Sequence, residues 1–277
     1  MREEKVEIFC VDGQKNKARP EKNKEIKIFC TGGLDSSYML CKLSRRKVVL
    51  QPIYVLNPKR ASHKYELKAI RKIIVKLLKH PGTKAEIKKL KIINLSKIKI
   101  NEKVTEARHR LNKIYGEMGW QYDYLTSLTE KIGPVGLGIE SNPIDGENLT
   151  LQKAVTLKKT RYGYMVDREK SSEDAVTVFG NFLYPILDDT EQFMLSWANK
   201  YGYTEILRLI WFCHRPIHGK PCGLCSPCEG KMQSGMEILL PLEARKRYYL
   251  ANKINFFGKN VSHLCKRTIY QVLLDLL

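Results

Sequence analysis

Cys30-Thr31-Gly32-Gly33-Leu34-Asp35-Ser36-Ser37 is the stretch whose reading decides the fold of this chain. Before it, Ile26-Lys27-Ile28-Phe29-Cys30 alternates with the period of two of a strand, and after it Ser36 to Arg46 places apolar residues at helical spacing. The order is therefore strand, glycine turn, helix. Backbone amides and hydroxyls converge at such a helix start, where the helix dipole favours an anion. Two adjacent glycines let the backbone close on a phosphate without interference from Cβ, and Thr31, Ser36 and Ser37 can donate hydroxyl hydrogen bonds. Asp35 belongs beside an anion only as a helix cap or as the ligand of a metal that bridges phosphates. The simpler alternative is an ordinary strand-to-helix turn with Asp35-Ser36 as its cap. The stretch is neither a Walker loop, for Gly-Lys-Ser/Thr is missing, nor a GxGxxG dinucleotide loop.

Outward from this turn the same alternation continues. Val48 to Leu56 reads as a second strand, and Tyr65 to Lys79 as a helix with Leu67, Ile70, Ile74, Leu77 and Leu78 on one face, ended by Pro81-Gly82. Leu90 to Leu95 reads as a third strand, Val104 to Met118 and Tyr122 to Ile132 as helices, and Val135 to Ile139 as a fourth strand. Asn142 to Asn148 reads as loop, and Leu151 to Asp174 fits no single element. Phe182 to Leu187 is regular again, followed by helices over Thr190 to Tyr201, Leu242 to Asn255 and Ser262 to Leu276. Strands alternating with helices imply βαβ units, an α/β fold with a Rossmann-like parallel sheet, and a ligand at the carboxyl ends of its strands. Val6 to Val11 reads as a short strand preceding that fold, and Gly13 to Lys24 as an exposed polar loop.

Eight cysteines are present, and four of them form Cys213-x8-Cys222-x2-Cys225-x2-Cys228 among Gly219, Pro221, Gly223 and Pro227. Overlapping CxxC steps on tight loops bring four thiolates together, the donor set of a structural zinc site. An iron–sulfur cluster and redox thiols are the competing readings. His214 and His218 lie in the loop, where they read as solvated side chains sooner than as competing ligands, while Cys10, Cys30, Cys41 and Cys265 read as ordinary thiols.

The chain has 277 residues, with 49 Lys+Arg against 29 Asp+Glu and a formal charge of +20. That length suits one large domain or one domain with an appendage, and 43% hydrophobic residues exclude a disordered chain. The charge admits a polyanionic partner, nucleic acid included, but lysine spread from Lys5 to Lys266 fits a general compositional bias better than a dedicated nucleic-acid surface. No run of 18 apolar residues and no signal-peptide pattern is present, so the expectation is a cytoplasmic protein without a membrane partner.

The turn resembles the PP-loop of N-type ATP pyrophosphatases, Ser-Gly-Gly-X-Asp-Ser, with Thr31 in the first place. Together with the cysteine cluster, in the wording Trp211-Phe212-Cys213 and Pro221-Cys222-Gly223-Leu224-Cys225-Ser226-Pro227-Cys228, it resembles the 7-cyano-7-deazaguanine synthase (QueC) family from about Ile26 to Gly235. The resemblance implies a PP-loop α/β domain over residues 25–187, a helical region with a four-cysteine zinc loop over 188–277, and an N-terminal extension over 1–24. It implies an ATP-dependent ligase that adenylates the carboxylate of 7-carboxy-7-deazaguanine, releasing pyrophosphate, for attack by an amine that displaces AMP. The implied cofactors are ATP, Mg²⁺ and Zn²⁺. Thr31, Gly32, Gly33, Leu34, Asp35, Ser36 and Ser37 would hold the pyrophosphate, Asp35 and Ser36 would be catalytic, Tyr54 and Val55 would flank the adenine, and Cys213, Cys222, Cys225 and Cys228 would hold zinc. A homodimer is also implied.

The sequence departs from that family where the substrate wall is expected, at Gly119-Trp120-Gln121-Tyr122 and Ser141-Asn142-Pro143-Ile144-Asp145-Gly146, and again at Asp188-Asp189-Thr190 and Lys231. These departures resemble a specialised paralogue of antiviral CBASS or Qat operons, which would join the deazaguanine acyl group to an amine of an operon-encoded protein and stop at the amide. A housekeeping queuosine-pathway synthase using ammonia, a tRNA-modifying PP-loop enzyme and a non-catalytic nucleotide-binding partner are the alternatives. Trp120, Tyr122, Tyr162 and Tyr164 could stack on a base or serve as core.

Overall fold

A computed structural model describes residues 25–141 and 147–257. The expected strand at Val6–Val11, the loop to Lys24, the segment 142–146 and the helix at Ser262–Leu276 lie outside the described residues.

The chain opens with β1 (Glu25–Phe29), α1 (Leu34–Ser44), β2 (Val49–Leu56) and α2 (His63–Leu78). Two short strands follow, β3 (Glu86–Ile87) and β4 (Lys91–Asn94), then α3 (Glu102–Tyr115), α4 (Gln121–Ile132) and β5 (Val135–Gly136). The unassigned stretch around Leu151–Asp174 resolves into α5 (Glu147–Ala154), an antiparallel hairpin of β6 (Leu157–Thr160) and β7 (Gly163–Val166), and the start of α6 (Glu173–Phe179). After β8 (Phe182–Leu183) come α7 (Glu191–Tyr201), α8 (Thr204–Leu207), α9 (Ser226–Gln233) and α10 (Leu242–Phe257).

The main sheet runs β3-β2-β1-β5-β8, with β4 continuing β3 along the same edge of β2, and every pairing is parallel. The α/β class and parallel sheet expected from sequence are thus what the chain adopts. Between β3 and β4 the register against β2 slips by one residue, and the slip falls opposite Gln51 and Pro52. Pro52 has no N–H to give, so the neighbouring strand is interrupted where a ladder bond would be missing. The Gln51 side-chain amide fills the gap by donating to the carbonyls of Lys89 (2.9 Å) and Pro52 (3.0 Å).

Two apolar layers enclose the sheet. One face of β1 and β2, through Ile28 and Leu50, packs with α1, α2, α7 and α8; the other, through Phe29 and Ile53, packs with α3, α4 and α6. The residues on either side of Leu187 share one core, because Met194, Ala198, Tyr203, Ile206, Leu207 and Ile210 pack in the same cluster as β1.

Several boundaries moved from expectation for local reasons. The helix expected to reach Met118 stops at Tyr115, where Gly116 takes φ +98°. The strand expected over Phe182–Leu187 pairs only through Leu183, after which Tyr184 bridges Tyr164 of the hairpin. The first helix starts at Leu34, two residues early, with Gly33 as its cap. No helix among the described residues is long and apolar enough to cross a membrane.

Candidate active site

Strand order alone locates the cleft. The chain leaves β1 toward β2 on one side and returns as β5 on the other, so the carboxyl ends of β1 and β5 diverge at a topological switch point. The Thr31–Ser37 turn emerges from the first and Glu140–Ser141 from the second. A cleft of about 920 Å³ opens there, lined by Thr31, Gly33, Leu34, Asp35, Arg60 and Glu66 on one wall. Glu140, Ser141, Glu191, Trp211, Phe212, His214 and Lys231 are on the others.

The turn is shaped by its glycine and its hydroxyls. Gly32 has φ +78°, and a Cβ there would stand 3.0 Å from the Glu66 carbonyl oxygen and 3.3 Å from the Ile70 side chain. Only glycine meets both conditions. The Thr31 amide donates to Ser36 Oγ (3.1 Å), the Thr31 and Ser36 hydroxyls lie 3.1 Å apart, and the Gly33 amide reaches Thr31 Oγ1 at 3.4 Å. Gly33 as N-cap offers α1 no side-chain acceptor, so no capping side chain covers the start of α1, whose Leu34 and Asp35 line the cleft.

Of the sequence-predicted residues, Thr31, Gly33, Leu34 and Asp35 line the cleft. Ser36 and Ser37 are buried, Ser36 as a brace of the turn. Tyr54 is buried, and its hydroxyl donates to Glu66 (2.6 Å); Val55 packs against the α3–α4 layer. Glu66 also accepts from Ser62 (2.6 Å) and pairs with Arg60 (2.9 Å), so a buried carboxylate anchors a guanidinium at the cleft wall. Of the four aromatic candidates, Tyr122 and Tyr162 are buried, Trp120 is exposed, and Tyr164 donates to Asp188 (2.8 Å); none lines the cleft.

Sequence reading missed two carboxylates. Glu140 and Glu191 bring their oxygens to within 4.8 Å of Asp35 and of one another, a group able to hold a cation. Gly138 makes this possible, since a Cβ there would meet the backbone of Asp35 and Ser36 at 3.2 Å. Burial, reinforced by the negative charges of Asp35 and Glu191, pushes the Glu140 carboxyl up to about 8, against a smaller opposing effect of Lys231. Lys231 is buried and ion-paired with Glu191. Nothing in local sequence marks Glu140, because its neighbours in the cleft come from Asp35, Glu191 and Lys231, far away in the chain.

The four cysteines converge as expected. Their sulfurs lie within 4.8 Å of one another, with separations of 3.8 Å (Cys222–Cys228), 3.9 Å (Cys225–Cys213) and 3.5 Å (Cys225–Cys228). A tetrahedron with metal–sulfur bonds of about 2.3 Å has edges of about 3.8 Å, so the set fits zinc, and these separations are too long for disulfides. Amides of Cys222 and Leu224 donate to the sulfurs of Cys213 (3.2 Å) and Cys222 (3.3 Å), as thiolate ligands require. Hydrogen bonding within the cluster, from Cys213 first, lowers the Cys222 thiol. Gly223, at φ +80°, presses on Ala244 so closely that a Cβ would overlap its carbonyl oxygen. His214 and His218 are exposed and outside the sulfur cluster. Cys30 and Cys41 are fully buried, and burial pushes the Cys30 thiol up to about 12, unsuited to a nucleophile.

The cysteine loop reaches the Thr31–Ser37 turn through Trp211. Its amide donates to the Gly32 carbonyl (2.7 Å), its indole N–H donates to the Cys213 carbonyl (2.8 Å), and its ring stacks on Tyr65 at 4.6 Å. From the far end of the same loop, α9 carries both Cys228 and Lys231.

No family model matches the chain, and no curated protein matches it. Among solved structures, it is similar to a 4-thiouridine synthetase in complex with RNA and bound ATP. The identity is 13% and the TM-score 0.37, over 82% of this chain and 53% of that one. The chain thus spans about half the length of that structure.

Proposed function

We propose that the chain is an ATP-dependent adenylating enzyme of the PP-loop type. The observation that carries this reading is the convergence, in one switch-point cleft, of the Thr31-Gly32-Gly33-Leu34-Asp35 turn with the carboxylates of Glu140 and Glu191. A substrate oxygen attacks the α-phosphorus of ATP, the bond to the β-phosphate oxygen breaks, and pyrophosphate leaves. The N-terminus of α1 stabilises the charge growing on the leaving group, and Arg60, anchored by Glu66, adds a cation to the same wall. Asp35, Glu140 and Glu191 would hold Mg²⁺, which when bound supplies charge neutralisation between the phosphates. Zn²⁺ at the four cysteines would be structural, fixing Trp211 and Lys231 at the cleft.

The substrate we favour is the carboxylate of 7-carboxy-7-deazaguanine, with an amine displacing AMP from the acyl-adenylate. A carboxylate is a poor electrophile and its mixed anhydride with AMP a good one, so the turn's chemistry suits the amide-forming step that the resemblance implies. An amine on a partner protein, as in a defence-operon paralogue, suits the departures at Ser141, Thr190 and Lys231, which line the cleft, better than ammonia and the nitrile end point do. The test is mass spectrometry of products from protein, ATP, Mg²⁺, 7-carboxy-7-deazaguanine and either ammonium or operon-encoded proteins. A deazaguanine mass added to a partner protein together with AMP is expected. Nitrile formed fully from ammonium overturns the conjugating reading, and no ATP–pyrophosphate exchange with any acceptor overturns the enzyme reading.

A further inference from the structure

Outside the cleft, the strongest charge feature belongs to α2. Lys64, Lys68, Arg71, Lys72, Lys76 and the C-cap Lys79 are all exposed, and at 100° per residue they fall within an arc of roughly 140°. The single acid of the helix, Glu66, is buried on the other side, turned to Tyr54 and Ser62. Among the described residues none of the six cations enters an ion pair.

The other basic stretches differ. On α3, Lys103, Arg110 and Lys113 are interleaved with Glu102 and Glu106, and Arg110 is paired with Asp174. On α10, Arg245 and Arg247 spend their guanidiniums on the carbonyls of Leu240 and of Pro221 and Cys222. Lys89 and Lys91 sit on the β3–β4 edge, where charge protects an open strand from pairing. Only α2, among the described helices, presents a long cationic face with no acid to neutralise it. Like charges at i,i+4 oppose helix stability, so this face is held at a cost that a bound polyanion would relieve.

We infer that this face of α2 binds the phosphodiester backbone of a nucleic acid. From Lys64 to Lys79 the helix rises about 22 Å, the axial length of about six phosphates of one strand at 3.4 Å each. Six cations therefore meet about six phosphates. The face starts beside the cleft, since Arg60 and Glu66 line it and Tyr65 stacks on Trp211 at its rim. A strand lying along α2 thus reaches the cleft at one end. Backbone contacts of this kind carry no base preference, so recognition by α2 is of charge and spacing.

The experiment measures binding of fluorescent 24-nucleotide single-stranded RNA and DNA, and of polyglutamate, by anisotropy across salt. It uses the full chain, a variant with Lys68, Arg71, Lys72 and Lys76 replaced by Glu, and a control with Lys103, Lys131, Lys158 and Lys170 replaced by Glu. Both variants change the net charge equally, and thermal unfolding establishes that both fold. For the full chain, log K is expected to fall against log salt with a slope of about −4, from about six single-strand phosphates. The α2 variant is expected to lose about 100-fold in affinity and most of that slope, and the control less than about fivefold. RNA bound more tightly than DNA, or the reverse, identifies the natural strand within the same proposal. Equal losses in the two variants overturn it in favour of diffuse charge, and polyglutamate bound as tightly as nucleic acid overturns the choice of partner. ATP–pyrophosphate exchange without any RNA is expected to be unchanged in the α2 variant, which keeps this test separate from that of the adenylation reading.

Discussion

At Gly32 the backbone and the neighbouring helix make the same demand. With φ at +78° and the Glu66 carbonyl 3.0 Å from where a Cβ would be, Gly32→Ala is expected to cost about 1–3 kcal/mol of stability and to misplace the amides of Gly33 and Leu34. Chemical denaturation with ATP-binding calorimetry on the same protein checks this; unchanged values for both would show that the turn tolerates a side chain. Glu140 yields a pH prediction. Its carboxyl is raised to about 8, so between the ordinary value near 4.5 and about 8 the folded chain holds a proton that the unfolded chain has lost. The folded state binds more protons in that window, and the contribution of Glu140 to stability falls as pH rises through it. Glu140→Gln is therefore expected to gain stability relative to the parent between about pH 5 and 8. A divalent cation competes with the same proton, so Mn²⁺ affinity in the parent should rise over about pH 6 to 8 and lose that dependence in the variant. A parent affinity flat with pH would place the proton elsewhere.

Among the elements, α9 links the sulfur cluster to the cleft. Cys228 lies in its first turn, and one turn later Lys231 pairs with Glu191 at the start of α7. Lys231→Met leaves a largely buried carboxylate beside Glu140 and Asp35 without its cation, and breaking such a pair costs about 3–5 kcal/mol. Adding Glu191→Gln removes the orphaned charge, so the double variant is expected to recover most of that loss. A double-mutant cycle in urea measures it, and additive losses would show that the two groups do not interact. This link also marks how far the sequence could be read. The turn and the four cysteines were legible because each is a local pattern: adjacent glycines after an apolar strand, and CxxC steps among prolines. Glu140, Glu191 and Lys231 were not, because their roles arise from contacts between segments far apart in the chain. The short strands at β3, β5 and β8 were likewise overestimated or missed, since Pro52 and the β6–β7 hairpin cut pairing in ways the hydrophobic period does not encode.

At the scale of the molecule, the Thr31–Ser37 turn depends on residues well beyond the strands and helices that surround it. Met194, Tyr203, Ile206, Leu207 and Ile210 are buried in the same cluster as Ile28, Leu40 and Leu50, so α7 and α8 complete the layer that covers one face of β1 and β2. Burial of a large apolar side chain contributes about 1.5–3 kcal/mol, and five such residues together match the roughly 5–15 kcal/mol net stability of a typical domain. A fragment spanning 25–187, with every sheet strand and the whole turn, is therefore expected to lack a cooperative thermal transition and to bind hydrophobic dye. Extending it to residue 257 restores the missing layer, the Trp211 bond to Gly32 and the cysteine cluster, and should restore the transition. Calorimetry on the two fragments decides the point. Cooperative unfolding of 25–187 near the temperature of the longer chain would mean that the α/β region folds without help from residues 188–257. In that case the link from the cysteine cluster through Trp211 and Lys231 would serve the cleft alone and not the fold.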